Sequence, residues 1–175
     1  ARLGTSIRDV VCDELGVTSE YLDHRINTIF LDGKPVDDAR QAIIREESTL
    51  ALSASMPGFV GAAFRKAGFY AAMRKQITHE KEEASASGKQ GFFVLKLYNF
   101  VAEELGPLFL EMGIYVKADQ LNSFFATRSP EFWSACTKAE IDGREVSPET
   151  LSNVPWAAHN GLVRLKVMSE QKAPE

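Results

Sequence analysis

The chain has little of what announces chemistry. Its 175 residues hold two cysteines and three histidines. No Cys-x-x-Cys pair occurs, so a structural zinc site has no support. There is no Gly-x-Ser-x-Gly elbow, no phosphate loop and no complete dinucleotide fingerprint. His79 and Glu83 fall at helical spacing, with Glu80 beside the histidine, but a zinc-protease helix needs a second histidine that is missing here. No run of about 18 apolar residues occurs, and no basic segment followed by an apolar one opens the chain, so neither a membrane span nor a signal peptide is expected. The chain opens on Ala1 rather than Met, which points to residues removed upstream. Basic residues are outnumbered: 20 Lys and Arg against 24 Asp and Glu leave a formal charge of −4. That balance argues against nucleic acid or an anionic membrane as the main partner. The expectation is a cytoplasmic protein with no cofactor and no metal.

What is present is ordinary globular material. Hydrophobic residues make up 45% and charged residues 25%, enough for a real core. Cys12 sits in a helical stretch and Cys136 just before a strand; both read as free core thiols. Ser6 and Asp9 have the spacing of a capping box, ahead of a helical face of Ile7, Val10, Val11 and Leu15 that Gly16 stops. Ile26 to Leu31 reads as a strand, and Leu50, Leu52, Ala54 and Met56 alternate as a second one before Pro57-Gly58. Asp37 to Glu47 reads as a loop or a single helical turn. Further on, Phe92 to Leu97 reads as a strand, Asn99 to Met112 as a helix kinked at Gly106-Pro107, and Leu162 to Val167 as a closing strand.

Two stretches echo each other. Thr28 to Val36 is answered by Lys138 to Val146, each a strand, an Asp-Gly turn, a basic residue and a short return. Asp13-Glu14-Leu15-Gly16 is answered by Glu103-Glu104-Leu105-Gly106. The order of the echoes predicts an internal repeat, with an insertion around Phe124 to Trp133 in the second copy.

Ile26 to Gly58 resembles the latter part of β-grasp proteins, sulfur-carrier and ubiquitin-like members above all. The resemblance implies an α+β fold of two β-grasp-like units with mixed sheets and packed helices. The expected division is 1–80 for the first unit, 81–91 for a charged linker, 92–170 for the second unit and 171–175 for a loose tail. Carrier chemistry does not transfer, because Ser53 to Gly58 runs straight on into Phe59 with no free Gly-Gly end. A β-grasp unit also opens with a hairpin before its helix, which this sequence does not show. Either residues upstream of Ala1 were lost, or a strand from the second half or from a partner fills that sheet edge.

The most unusual segment is Met56 to Gly68, with its neighbours to Ile77. Its glycines and alanines suit close packing, and its apolar side chains Phe59, Phe64, Phe69, Tyr70 and Met73 are the candidate partner-binding residues. Arg65, Lys66, Arg74 and Lys75 scatter around a helix and form no single basic face. The leading expectation is a non-catalytic protein-binding or assembly module, meeting a protein partner or itself. One alternative is a small enzyme or carrier accessory with a pocket between the units lined by Cys136, Trp156 or His159. Another is anion or nucleotide binding at Gly58–Gly61, where a strand end meets a helix start. No catalytic motif assigns an enzyme activity.

Overall fold

The computed structural model describes residues 1–54, 56, 58–74, 77–79, 89–158 and 161–169. Helices and strands mix along the chain, and parallel and antiparallel pairs share a sheet: the fold class is α+β. Two compact units divide at Leu108 and Phe109. The expected linker lies outside the described residues as far as Gly88, and the expected tail lies wholly outside them.

The first unit begins as its capping signals dictate. Asp9 N–H donates to Ser6 Oγ at 3.1 Å and Ser6 N–H donates to Asp9 Oδ2 at 3.3 Å, the two bonds of a capping box. The helical turn they open, Asp9–Glu14, is wound wide: Leu15 N–H reaches back to Val10 O. Strand β1 (Thr5–Ser6) precedes it. A second wide turn, Tyr21–Arg25, leads into β2 (Thr28–Leu31), the Asp32-Gly33 turn and β3 (Lys34–Pro35). Then come β4 (Ile43–Ile44), β5 (Thr49–Ser53) and α1 (Gly58–Phe64). A 3₁₀ turn, Phe69–Arg74, follows, then β6 (Val94–Tyr98) and α2 (Phe100–Met112), which runs on past the division. The stretch expected as a loop or single turn thus contains β4, whose Ile43 and Ile44 pair with Ser6 and Thr5.

The main sheet has the order β3-β2-β5-β6. β2 and β5 are antiparallel, while β5 and β6 are parallel in an unbroken register from Thr49↔Val94 to Ser53↔Tyr98. The strand expected to open the second unit therefore completes the first. An apolar β5 with an unpaired edge would be costly, and β6 supplies the missing ladder. The pairing is parallel and long-range, so no local periodicity announces it. By register, Ile29, Leu31, Leu50 and Leu52 share one face, and none is more than 1% exposed. Ile7, Val10, Val11, Leu22, Ile26 and Val101 are buried with them. Each such side chain contributes about 1.5–3 kcal/mol by leaving water.

Glu104 ties α2 to the 21–25 turn. It accepts from Tyr21 Oη at 2.5 Å and from Arg25 Nε at 3.0 Å, and it forms an ion pair with Arg25 Nη2. The Arg25 and Tyr21 hydrogen bonds hold the Glu104 carboxyl down to about 2. Burial, helped by the bond to Glu104, pushes the Tyr21 phenol up to about 12.

The second unit holds β7 (Ile114–Lys117), α3 (Ala118–Ala126), α4 (Pro130–Ser134), β8 (Ala139–Ile141), β9 (Arg144–Val146) and β10 (Leu162–Leu165). β7 and β10 pair antiparallel, and β8 and β9 form a separate hairpin. Leu121, Phe125, Trp133 and Trp156 make the core, with Ile141, Val163 and Leu165 packed against it. Trp156 is tilted against Phe125, with ring centroids 6.1 Å apart, and its indole N–H donates to Leu151 O at 2.8 Å. No helix among the described residues is long and apolar enough to cross a membrane.

Candidate functional site

The candidate segment is a short helix, a break and a 3₁₀ turn lying on one face of the main sheet. Phe64 points at that sheet, its ring 5.3 Å from that of Phe30 in β2. Lys66 N–H donates to Asn27 O at 2.7 Å, and the Lys66 ammonium donates to Leu22 O. Burial holds that ammonium below the ordinary lysine range. Gly61 is needed for the fit of the strand-to-helix corner, because a Cβ there would overlap the Met56 carbonyl.

Arg74 is the clamp. It is 6% exposed and spends its guanidinium fork on the segment itself and on Asp37. Nε donates to Ala63 O at 2.7 Å, and Nη2 donates to Arg65 O at 3.0 Å and to Asp37 Oδ1 at 2.6 Å. Nη1 donates to Thr78 Oγ1 at 3.1 Å and Asp37 Oδ2 at 3.3 Å. Asp37 Oδ1 also takes the Ala67 N–H at 3.0 Å. A buried arginine satisfied at every position of its fork fixes a backbone that lacks regular helix bonds.

On this platform the aromatic side chains divide. Phe59 is 69% and Phe69 91% exposed. Both set their rings edge-on to Tyr70, at 5.3 and 5.2 Å between centroids. Exposed Phe59 and Phe69 are thus joined through half-buried Tyr70 into one aromatic run, while Phe64 serves packing. Met73 lies on the same turn, with its side chain outside the described residues.

A small open cleft of about 200 Å³ lies beside the start of α1, lined by Asn27, Thr28, Met56, Gly61 and Arg65 among others. Thr28 is 1% exposed, and its hydroxyl has no hydrogen-bond partner among the described residues. Gly58 and Gly61, the expected anion-binding pair, both belong to this wall.

The other candidates separate. Trp156 is a core residue of the second unit, and Cys136 is half-buried with Sγ bonded to Lys138 O at 3.3 Å. His159 and Lys75 lie outside the described residues. Among the described residues no three His, Cys, Asp or Glu side chains converge as a metal site would. Cys12 is half-buried, and burial pushes its thiol up, away from the reactive thiolate form.

The pairing of Asp37 with Arg74 and the structural role of Arg74 have no signal in the sequence, where Asp37 only opens a polar stretch. Sequence reasoning also missed a stack in the second unit, where the Arg128 guanidinium lies 4.3 Å from the centroid of Phe124 and 5.8 Å from that of Phe132. Arg128 lies between α3 and α4, so no single helical spacing announces the contact. Compared with known proteins, the chain matches no family model, no curated protein and no solved structure.

Proposed function

We propose that the chain is a non-catalytic binding or assembly module that meets a protein partner through Phe59, Tyr70 and Phe69. One observation carries the reading: a contiguous aromatic run, exposed at Phe59 and Phe69 and half-buried at Tyr70, stands on a backbone that a buried, fully bonded arginine holds in place. Leaving a phenylalanine exposed forgoes about 2 kcal/mol of burial. Rigid aromatic side chains on a fixed backbone lose little entropy on binding, which makes them good anchors. The proposed setting is cytoplasmic, which suits the free thiols Cys12 and Cys136. A β-grasp-like design for the first unit belongs to the same proposal, supported by its mixed sheet with a parallel β5–β6 pair.

The test places a photo-reactive benzoylphenylalanine at position 69, and separately at exposed Thr150, in the full chain inside its own cells. A discrete protein adduct from position 69, lost when Phe59 and Tyr70 become Ser, is the expected result. Equal labelling from both positions removes the reading.

A second reading, a small anionic ligand or nucleotide in the cleft at Gly58–Gly61, is favoured by the Thr28 hydroxyl, which has no partner among the described residues, and by Arg65 on the same wall. A ligand that binds only the folded state raises its melting temperature. A panel of inorganic phosphate and nucleotides should then stabilise the chain, and Thr28→Val should abolish the gain. No shift across the panel sets this reading aside.

A further inference from the structure

We propose that the free edge of β6 docks an extended segment of another protein, added as a further strand, with an acidic residue flanked by apolar ones. β6 pairs with β5 alone, and among the described residues no strand lies on its other edge. Val94 N–H donates to Ser48 O at 2.8 Å. The alternation of a parallel ladder therefore turns the backbone groups of Val94, Lys96 and Tyr98 toward β5. The N–H and C=O groups of Leu95 and Leu97 are left at the open edge.

The side chains of β6 divide in the same alternation. Leu95 and Leu97 are half-buried, on the face shared with Leu50 and Leu52. Val94 and Tyr98 are 47% and 49% exposed on the other face, with exposed Lys96 between them. By register that face also carries Phe30, which Phe64 covers. The helical segment thus packs over β2 on a face whose β6 end stays open.

Natural sheets blunt a free edge with proline, a bulge or a charge. β6 has no proline and no bulge; its one device is Lys96 at mid-strand. That lysine selects the occupant. A second copy pairing antiparallel along the whole strand would set Lys96 against Lys96, a like-charge pair directly opposed. Shifted registers avoid the clash only by leaving part of the strand unpaired. An acidic side chain opposite Lys96, with apolar neighbours two residues away opposite Val94 and Tyr98, satisfies both the charge and the exposed apolar surface. Strand addition of this kind draws affinity from main-chain bonds and specificity from alternate side chains. The proposal is independent of the aromatic run of Phe59, Tyr70 and Phe69, and either can fail alone.

The experiment titrates the nitrogen-labelled full chain with a capped peptide, Thr-Thr-Val-Thr-Glu-Thr-Val-Thr-Thr, and with its counterpart bearing Lys for Glu. The Leu95 and Leu97 amide signals should shift and gain exchange protection. The glutamate peptide should bind roughly tenfold tighter than the lysine peptide, from exchanging an attractive cross-strand pair for a repulsive one. Lys96→Glu should invert that order, and N-methylating the peptide's edge-facing amides should abolish binding. Silent Leu95 and Leu97 amides at millimolar peptide would overturn the proposal, as would equal affinity for both peptides. Concentration-dependent protection of the same amides without peptide would assign the edge to a second copy instead, and overturn it equally.

Discussion

Asp32-Gly33 turns with φ of 50° and 78°, and Asp142-Gly143 with φ of 49° and 76°. The local chemistry is the same, two left-handed residues in the tight turn that twisted hairpins favour. Their surroundings differ. Asp32 accepts from Thr49 N–H at 2.6 Å and Ser48 Oγ at 3.1 Å, which stitches the turn to β5, and β2 is flanked on both sides in the main sheet. Asp142 makes no such bond among the described residues, and β8 and β9 pair only with each other. Instead the second hairpin carries a surface pair, Lys138 with Glu140 at 2.8 Å. A dipeptide specifies a turn; what the turn joins depends on strands far away in the chain.

Core truncation should separate the two hairpins most. Leu52, fully buried opposite β2, should cost about 2–5 kcal/mol as Ala. Half-buried Ile141 in β8 should cost only about 1 kcal/mol, since less apolar area leaves water. Both tryptophans belong to the second unit, so their fluorescence in urea reads the Ile141 variant, while amide exchange at Ile29 and Leu31 reads the Leu52 variant.

The turn carboxylates come next. Asp32→Ala and Asp142→Ala share the penalty for a left-handed alanine, so their difference isolates the bonds to Ser48 and Thr49. It should be about 1.5–3 kcal/mol against Asp32→Ala, measured by the same two methods. A smaller effect sharpens the likeness: Gly33→Ala and Gly143→Ala should each cost about 1 kcal/mol, equal within error, because both meet open space at the same φ.

The smallest effect is the pH dependence that Glu104 and Tyr21 give the first unit. Glu104 is held at about 2 against an ordinary 4.5. Its contribution is present above pH 4.5 and fades as pH falls through about 2. Tyr21, raised to about 12 from 10, contributes fully below pH 10 and less as pH rises through 12. Glu104→Gln should flatten the acid limb of the first unit's stability profile and leave the tryptophan transition of the second unit unmoved.

How much of this was legible follows the range of each interaction. The Ser6–Asp9 box, the Gly16 stop and both Asp-Gly turns are set within a few residues and were readable. The parallel pairing of β6 with β5 was not, since Phe92 to Leu97 reads equally well as the first strand of a second unit. At the candidate site, glycine spacing and aromatic content marked the segment, but not which rings face out. Phe64 turns inward because Phe30 waits on β2, and Arg74 is buried because Asp37 lies opposite; neither pair has a signal in sequence order.

The account depends on the exposed aromatic run standing on a fixed platform and not on a frayed loop. Amide hydrogen exchange at Lys66 and Ala67 tests this directly, because those donors are committed to Asn27 O and Asp37 Oδ1. The account predicts that both amides exchange at least about a hundredfold more slowly than an open chain, and that Arg74→Lys releases them. Exchange at the open-chain rate in the unaltered protein would contradict it.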